Sequence, residues 1–331
     1  MRFQPPHCPY PDCPSRTTGT WRCARWGRYR RKCDGRAAQR FRCATCGRTF
    51  SAQAFRLDYR LHRPRLHLDL WPLLISKVTH RQAARLLGCR RRAVAHRLEL
   101  LGEHCRAFHL SRLRRLAESG GSPGPWMFDE LETYEHDRRL QPLTVPVLIH
   151  ARSYFVVGTE VAPLPCRGGL SERDRRRKLE RERTLGRRRS GSRAAVERCL
   201  GLLEPLVVGR RPLIVSDRKK SYPAALRRVL GRGHLHATTP STARRDRRNP
   251  LFPINHTLAQ LRDGVSRLVR RTWAASKRGA RLARHLWIWI CWRNYVRDVT
   301  NEAPGTTPAM LIGAARRPVT REELLGLRVA A

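Results

Sequence analysis

Acidic residues are scarce in this chain: 26 Asp plus Glu stand against 69 Lys plus Arg over 331 residues, a formal net charge of +43. An excess of this size builds a surface potential of several kT and makes a polyanion the natural partner, through phosphate neutralisation and counterion release. It argues against an ordinary metabolic enzyme and for nucleic acid. Lysine is nearly missing too, at positions 32, 77, 178, 219, 220 and 277 alone. Long apolar runs are absent. The longest, Leu286 to Trp292, has seven residues, where a spanning helix needs about twenty, and the N-terminus has no apolar signal-peptide core. The expected setting is the cytoplasm, at the nucleoid, with no membrane partner. No GxxxxGK[ST] loop and no dinucleotide fingerprint occurs, which argues against a nucleotide-hydrolysing engine.

What is present can fold. At 40% hydrophobic with eight Trp the chain can bury a core, so the charge belongs to a folded protein. At roughly 150 residues per domain the length suggests two or three domains.

Six of the eleven Cys fall within the first 46 residues, and clustered Cys in a reducing compartment point to metal rather than disulfides. Cys8-x4-Cys13 and Cys43-x2-Cys46-Gly47 are two pairs on tight turns, able to place four thiolates around a structural Zn²⁺. Cys23, Cys33 and His7 stay outside this set: neither Cys sits in a short paired knuckle, and His7 adjoins Cys8. Residues 1–50 carry 12 basic and two acidic side chains, so a zinc ribbon here is strongly cationic.

Residues 64–105 read as a helical unit. Leu66, Leu70, Leu73 and Leu74 have helical spacing, with Pro72 expected in a first turn. From Ser76 to Leu101 the pattern is helix, turn, helix: Ala84 allows close approach, Gly88 the sharp turn, and Val94 packs the second helix on the first. In such a unit the second helix enters the major groove of DNA, and Arg90, Arg91, Arg92, His96 and Arg97 are the candidate base readers. The bland alternative is a helical hairpin with a solvated Arg face.

Ser119 to Pro125 is a linker by composition. Beyond it strands and helices alternate: a strand from Trp126, a hairpin around Arg152-Ser153, a helix over 193–208, strands at 213–216 and 234–238 around a helix at 224–230, and closing helices at 255–271 and 280–298. Trp287, Trp289 and Trp292, interleaved with Ile288 and Ile290, read as a helix buried on all sides. The basic segment Ser171 to Ser192 is either a solvated loop or an electrostatic arm along DNA.

Against so much Arg, the placement of Asp is informative. Asp129 and Asp217 each lie on or just past a short apolar strand, where a carboxylate is costly unless compensated. Two such Asp on neighbouring strands can hold Mg²⁺ or Mn²⁺, with positions left open for substrate phosphate. A third ligand is expected from a later helix. Asn255 and Arg262, seven residues apart, return to within about 20° of one face; Asn255 could supply an amide oxygen to metal, or else cap the helix, and Arg262 a cation for phosphate. Arg218, Lys219 and Lys220 after Asp217 either grip phosphate or form a solvated loop.

These residues resemble a family. Cys43-Ala-Thr-Cys46-Gly with Phe50-Ser51, Phe128-Asp129-Glu130, Ser216-Asp217 with Tyr222, Asn255-x6-Arg262, and Arg271-Thr272-Trp273 with Ser276-Lys277 look like bacterial insertion-sequence transposases of the DDE class. The zinc-ribbon group around insertion sequence one and its relatives is the nearest likeness, over roughly residues 7–298. The resemblance implies a multidomain chain: a zinc ribbon (1–55), a helix-turn-helix domain (56–118), a linker (119–125), an α/β ribonuclease H-like catalytic domain with a mixed sheet (126–300) and a tail (301–331). It implies Asp129, Asp217 and Asn255 as the catalytic triad with Arg262 on phosphate, Lys219, Lys220 and Lys277 near DNA, and double-stranded DNA held by a homo-oligomer. Two departures stand out: Asn255 where most members have Glu, and Arg218 where Gly is frequent.

Overall fold

A computed structural model describes residues 3–18, 21–32, 35–244, 246–269 and 273–326. Cys33, Arg271 and Thr272 lie outside the described residues. The chain divides into two compact units, residues 1–70 with 320–331, and residues 71–319.

In the first unit a single turn, α1 (Ser15–Thr18), precedes a three-stranded antiparallel sheet of β1 (Cys23–Arg30), β2 (Ala37–Cys43) and β3 (Thr49–Ser51). Phe41, Phe50 and Phe55 fill its small core together with Cys8, Cys13 and Cys43. So few apolar side chains give a thin core, the situation in which small domains need a staple.

The division between units falls within α2 (Leu66–Ile75), where Pro72 sits inside the helix rather than opening it. A capping box of Thr79 and Gln82 starts α3 (His80–Leu86). Gly88, at φ +53°, makes the turn into α4 (Arg91–Glu118). At 1.5 Å per residue, the 28 residues of α4 extend about 42 Å, far beyond a short reading helix. Its later turns pack on α9 (Gly279–Tyr295). The approach is close because residue 102 is glycine: a Cβ there would lie 2.5 Å from the Arg284 backbone oxygen. Arg281–Glu99 (2.7 Å) and Arg284–Glu103 (2.8 Å) flank the contact.

The helix-turn-helix therefore shares one compact unit with the sheet, and the boundaries expected at 118 and 126 do not separate bodies. Ser119 to Pro125 is a short connection tied down by Ser122 N–H to Leu206 O at 3.0 Å.

The sheet is mixed. β4 (Trp126–Tyr134), β5 (Pro142–His150), β6 (Phe155–Thr159), β7 (Ala162–Pro163), β8 (Leu213–Asp217) and β9 (Leu235–Thr239) are arranged β6-β5-β4-β8-β9, with the short β7 beside β5. β4, β5 and β6 run antiparallel to their neighbours, whereas β4, β8 and β9 are parallel. Every residue of β5 is buried, as expected of a strand covered on both faces. Between the two halves of the sheet come α5 (Glu172–Leu185) and α6 (Ser192–Gly201). α5 corrects the loop expected there: it is a regular helix with no buried residue, stabilised by Ser171 at its N-cap and by i,i+3 and i,i+4 ion pairs such as Arg176–Glu172.

After β8 come α7 (Tyr222–Leu230) and, past β9, α8 (Phe252–Gly264), which packs on β4. α6 and α7 pack together, and Tyr222 of α7 sits edge-on to Phe128 of β4. α9 is buried from Leu286 to Cys291 and packs on β6 and α4. α10 (Pro308–Leu311) also lies on α9, and α11 (Arg321–Gly326) belongs to the first unit. No helix among the described residues is long and apolar enough to cross a membrane.

Candidate functional sites: a cysteine quartet and a carboxylate pair

The Sγ atoms of Cys8, Cys13, Cys43 and Cys46 all lie within 4.8 Å of one another. Two pairs, Cys8–Cys46 and Cys13–Cys43, are 3.8 Å apart. A tetrahedron with metal–sulfur bonds of about 2.3 Å has edges of about 3.8 Å, so the four thiolates could hold a structural metal such as zinc. The Cys46 N–H approaches Cys43 Sγ at 3.5 Å, and Ser15 Oγ lies 3.1 Å from Cys13 Sγ. Burial opposes ionisation of Cys46, but hydrogen bonds from Arg48 outweigh it and bring the thiol down to about 6. Cys23 pairs across the sheet with Cys43 and His7 sits against Phe55; neither joins the quartet. Ser15, which the sequence reading passed over, was visible only as a hydroxyl two residues after Cys13. On the exposed β1, Trp26 and Tyr29 alternate with Arg25, Arg28 and Arg30, and Arg42 lies 4.9 Å over the Trp26 ring.

Asp129 and Asp217 come from adjacent strands. The parallel register pairs Trp126 with Ile214 and Met127 with Val215. Each aspartate lies three residues beyond its Trp126/Ile214 partner, two past the last paired residues Met127/Val215, so they occupy equivalent positions that a continued register, with strand alternation, would put on the same face. Backbone N–H groups orient both carboxylates: Glu130 N–H donates to Asp129 Oδ1 at 2.7 Å, and Lys219 N–H to Asp217 Oδ1 at 3.1 Å.

Glu130 turns to the other face. Its side chain, 5% exposed, is ion-paired with Lys219 and accepts hydrogen bonds from Thr144 and Ser192 (both 2.8 Å) and Tyr222 (3.1 Å). Burial pushes the Tyr222 hydroxyl far up, and the charges of Glu130, Asp129 and Asp217 push it further. All three carboxylates thus bear on one phenol.

Asn255 and Arg262 are both half-buried on α8. Leu251 is the N-cap of α8, and Asn249 Oδ1 accepts from Leu251 N–H at 2.8 Å. The capping alternative for Asn255 is thereby removed: it lies in the first full turn, its own N–H bonded to Leu251 O at 3.0 Å. Among the described residues the cysteine quartet is the one cluster of three or more His, Cys, Asp or Glu ligands. The second site offers two carboxylates and, at most, an amide.

Arg90, Arg91, Arg92 and His96 are exposed at the start of α4. Arg97 is not: it is 4% exposed, facing the packed side of α4, and its placement corrects the expectation that it reaches DNA. Lys219 is likewise turned to Glu130 and lies over the Tyr222 ring, whereas Lys220 and Lys277 are exposed. Compared with known proteins, the chain matches no family model and no curated protein.

Proposed function

We propose that the chain is a metal-dependent polynucleotidyl transferase acting on DNA, with a ribonuclease H-like catalytic domain. More narrowly, it is a DDE-class insertion-sequence transposase in which Asn255 takes the third acidic position. It binds the ends of its own element as an oligomer, cleaves there and joins the 3′ ends to target DNA.

The observation that carries this reading is that Asp129 and Asp217 occupy equivalent positions, three residues past the Trp126/Ile214 pair, on adjacent parallel strands in a sheet whose other half is antiparallel. Asp129 and Asp217 would hold Mg²⁺ or Mn²⁺, with Asn255 as third ligand or as positioner of a metal-bound water. Bound metal would activate the attacking hydroxyl and stabilise the leaving oxygen. The chain's own residues do the rest. Backbone N–H groups fix the rotamers of both aspartates, Glu130 fixes the loop after Asp217, and Arg262 with Lys220 neutralises phosphate. The exposed Arg90, Arg91, Arg92 and His96 read the element end, and the cysteine quartet, with Zn²⁺, holds a cationic ribbon.

A second reading is favoured by Asn255, a neutral group where a carboxylate would bind metal more tightly: a catalytically inactive DNA-binding regulator derived from a transposase. One assay separates the two. Labelled DNA from the borders of the element is incubated with protein, target plasmid and Mg²⁺, beside an Asp129→Ala control. Joining that the substitution abolishes supports the transposase. Cleavage without joining makes it a nuclease, and binding without cleavage supports the regulator.

A further inference from the structure

The three-stranded sheet of the first unit has two faces of different character. Phe41, Cys43 and Phe50 turn to the small core. Side chains alternate along a strand, and residues opposite one another across a ladder share a face. Arg40 and Arg42 of β2 therefore turn outward, with Ser51 opposite Arg40 and Thr49 opposite Arg42.

On β1 the alternation is interrupted. Arg25 pairs with Phe41 and Arg28 with Gln39, so β1 takes three residue steps where β2 takes two. This is a β-bulge, and Gly27, at φ +80°, lies in it. In a regular strand Trp26 and Tyr29, three residues apart, would turn to opposite faces. The bulge brings both to the outer one. Tyr29 lies opposite Ala38, and its hydroxyl is 3.3 Å from Ser51 Oγ. Trp26 lies under the Arg42 guanidinium, 4.9 Å from its ring centroid.

Both rings are open to solvent, Trp26 at 48% and Tyr29 at 40%. Single exposed aromatics are ordinary; two on one face of a short sheet, brought together by a bulge, mark an interaction surface. The charge around them is of one sign. Arg28, Arg30, Arg40 and Arg42 are exposed, and among the described residues none of them forms an ion pair with a carboxylate. Arg40 and Arg42 donate to neutral oxygens, Thr49 Oγ1 at 3.1 Å and Gly47 O at 3.2 Å. The described acids up to residue 60, Asp12 and Asp58, are paired with Arg48 and with Arg31 and Arg56.

A phosphate backbone needs only the cations. The rings add binding only where the faces of bases are free: in a duplex the bases stack on one another, whereas in a single strand they stack on aromatic side chains. We propose that the outer face of this sheet binds single-stranded DNA, with Trp26 and Tyr29 on unpaired bases and Arg28, Arg30, Arg40 and Arg42 on phosphates. The choice of DNA over RNA rests on the function proposed above. The stacking does not, and it uses none of Asp129, Asp217 or Asn255.

The test is equilibrium binding of the full chain, at moderate salt and without Mg²⁺, to labelled oligothymidylate, an abasic oligomer of the same length, a duplex and oligouridylate. Thermal unfolding checks that Trp26→Ala, Tyr29→Ala and Trp26→Phe fold. Oligothymidylate should bind about tenfold more weakly to Trp26→Ala and to Tyr29→Ala, and Trp26→Phe should restore most of the loss. Affinity for the abasic oligomer and for the duplex should stay at the wild-type value. Ultraviolet crosslinks to oligothymidylate should map to residues 23–30. Because Mg²⁺ is left out, failure of the catalytic reading leaves these results untouched. Equal losses on the abasic oligomer or the duplex would limit the face to phosphate contact, and unchanged oligothymidylate affinity or crosslinks only elsewhere would leave it to another partner. Tighter binding of oligouridylate would remove the assignment to DNA. Each of these would overturn the proposal.

Discussion

Lys219 and Glu130 form an ion pair that ties the loop after β8 to the strand carrying Asp129. The backbone N–H of the same Lys219 holds the Asp217 carboxylate. A residue on the opposite face of β4 thus fixes the loop that orients the second aspartate, and Glu130, adjacent to Asp129 in sequence, has a holding task distinct from metal ligation.

Glu130→Gln should therefore destabilise the protein by on the order of 1–3 kcal/mol, because an amide cannot accept from Lys219, Tyr222, Ser192 and Thr144 together. The partial exposure of Lys219 keeps the loss below that of a fully buried pair. Urea unfolding measures it, and in Glu130→Gln/Lys219→Met the two losses should not add. Additive losses would mean the ion pair contributes nothing.

Gly102→Val tests the α4–α9 contact. The new Cβ would meet the Arg284 backbone, which cannot swing aside, so the helices must separate and a loss of about 1–3 kcal/mol or more follows. An unchanged melting temperature would show that the helices are not held at this distance.

For the quartet, metal analysis of the purified protein should find one zinc per chain. Cys43→Ser should lose it, and chelation should unfold the first unit, whose thin core depends on the staple. Full metal content in Cys43→Ser would refute the assignment.

Stability should fall on acidification. Burial brings His109 down to about 4, against a smaller opposing effect of the hydrogen bond its Nε2–H donates to the Val157 carbonyl, and His285 down to about 3. Their folded values lie below the unfolded value of about 6.5, so as pH falls the unfolded chain takes up protons first. Stability is complete above about pH 6.5 and is lost from there down toward the folded values, at on the order of 2 kcal/mol per histidine by pH 5. A urea midpoint that stays constant from pH 7.5 to 4.5 would contradict this.

Arg91→Ala and Arg92→Ala should weaken binding to the element end more than to random DNA, as expected of base contacts. Arg97→Ala should instead lower stability, since Arg97 is buried. Equal losses on both DNAs for Arg91 and Arg92 would limit them to backbone contact.

Local spacing made some of this legible in the sequence. The two Cys pairs, the Thr79-to-Val94 turn and the strands leading to Asp129 and Asp217 are short-range patterns, each fixed by a few neighbouring residues. Which way a side chain faces depends on distant partners, and there the sequence misled. Arg97 looked like its exposed neighbours, yet it lies buried on α4 along the face of Val94, Leu98 and Leu101. Lys219 looked like one cation among three until Glu130 claimed it. Asn255 could cap α8 only if the helix began there, and Asn249 with Leu251 starts it earlier. In α5 the run of charge hid a helix whose i,i+3 and i,i+4 ion pairs, such as Glu172–Arg176 and Lys178–Glu182, need no core.

The most direct test of the central claim is Mg²⁺-dependent cleavage of border DNA by the wild type, Asp217→Ala and Asn255→Glu. The account predicts cleavage by the wild type, none by Asp217→Ala at any Mg²⁺ concentration, and a lower Mg²⁺ requirement for Asn255→Glu, which supplies the missing carboxylate. Cleavage by Asp217→Ala equal to the wild type would contradict it.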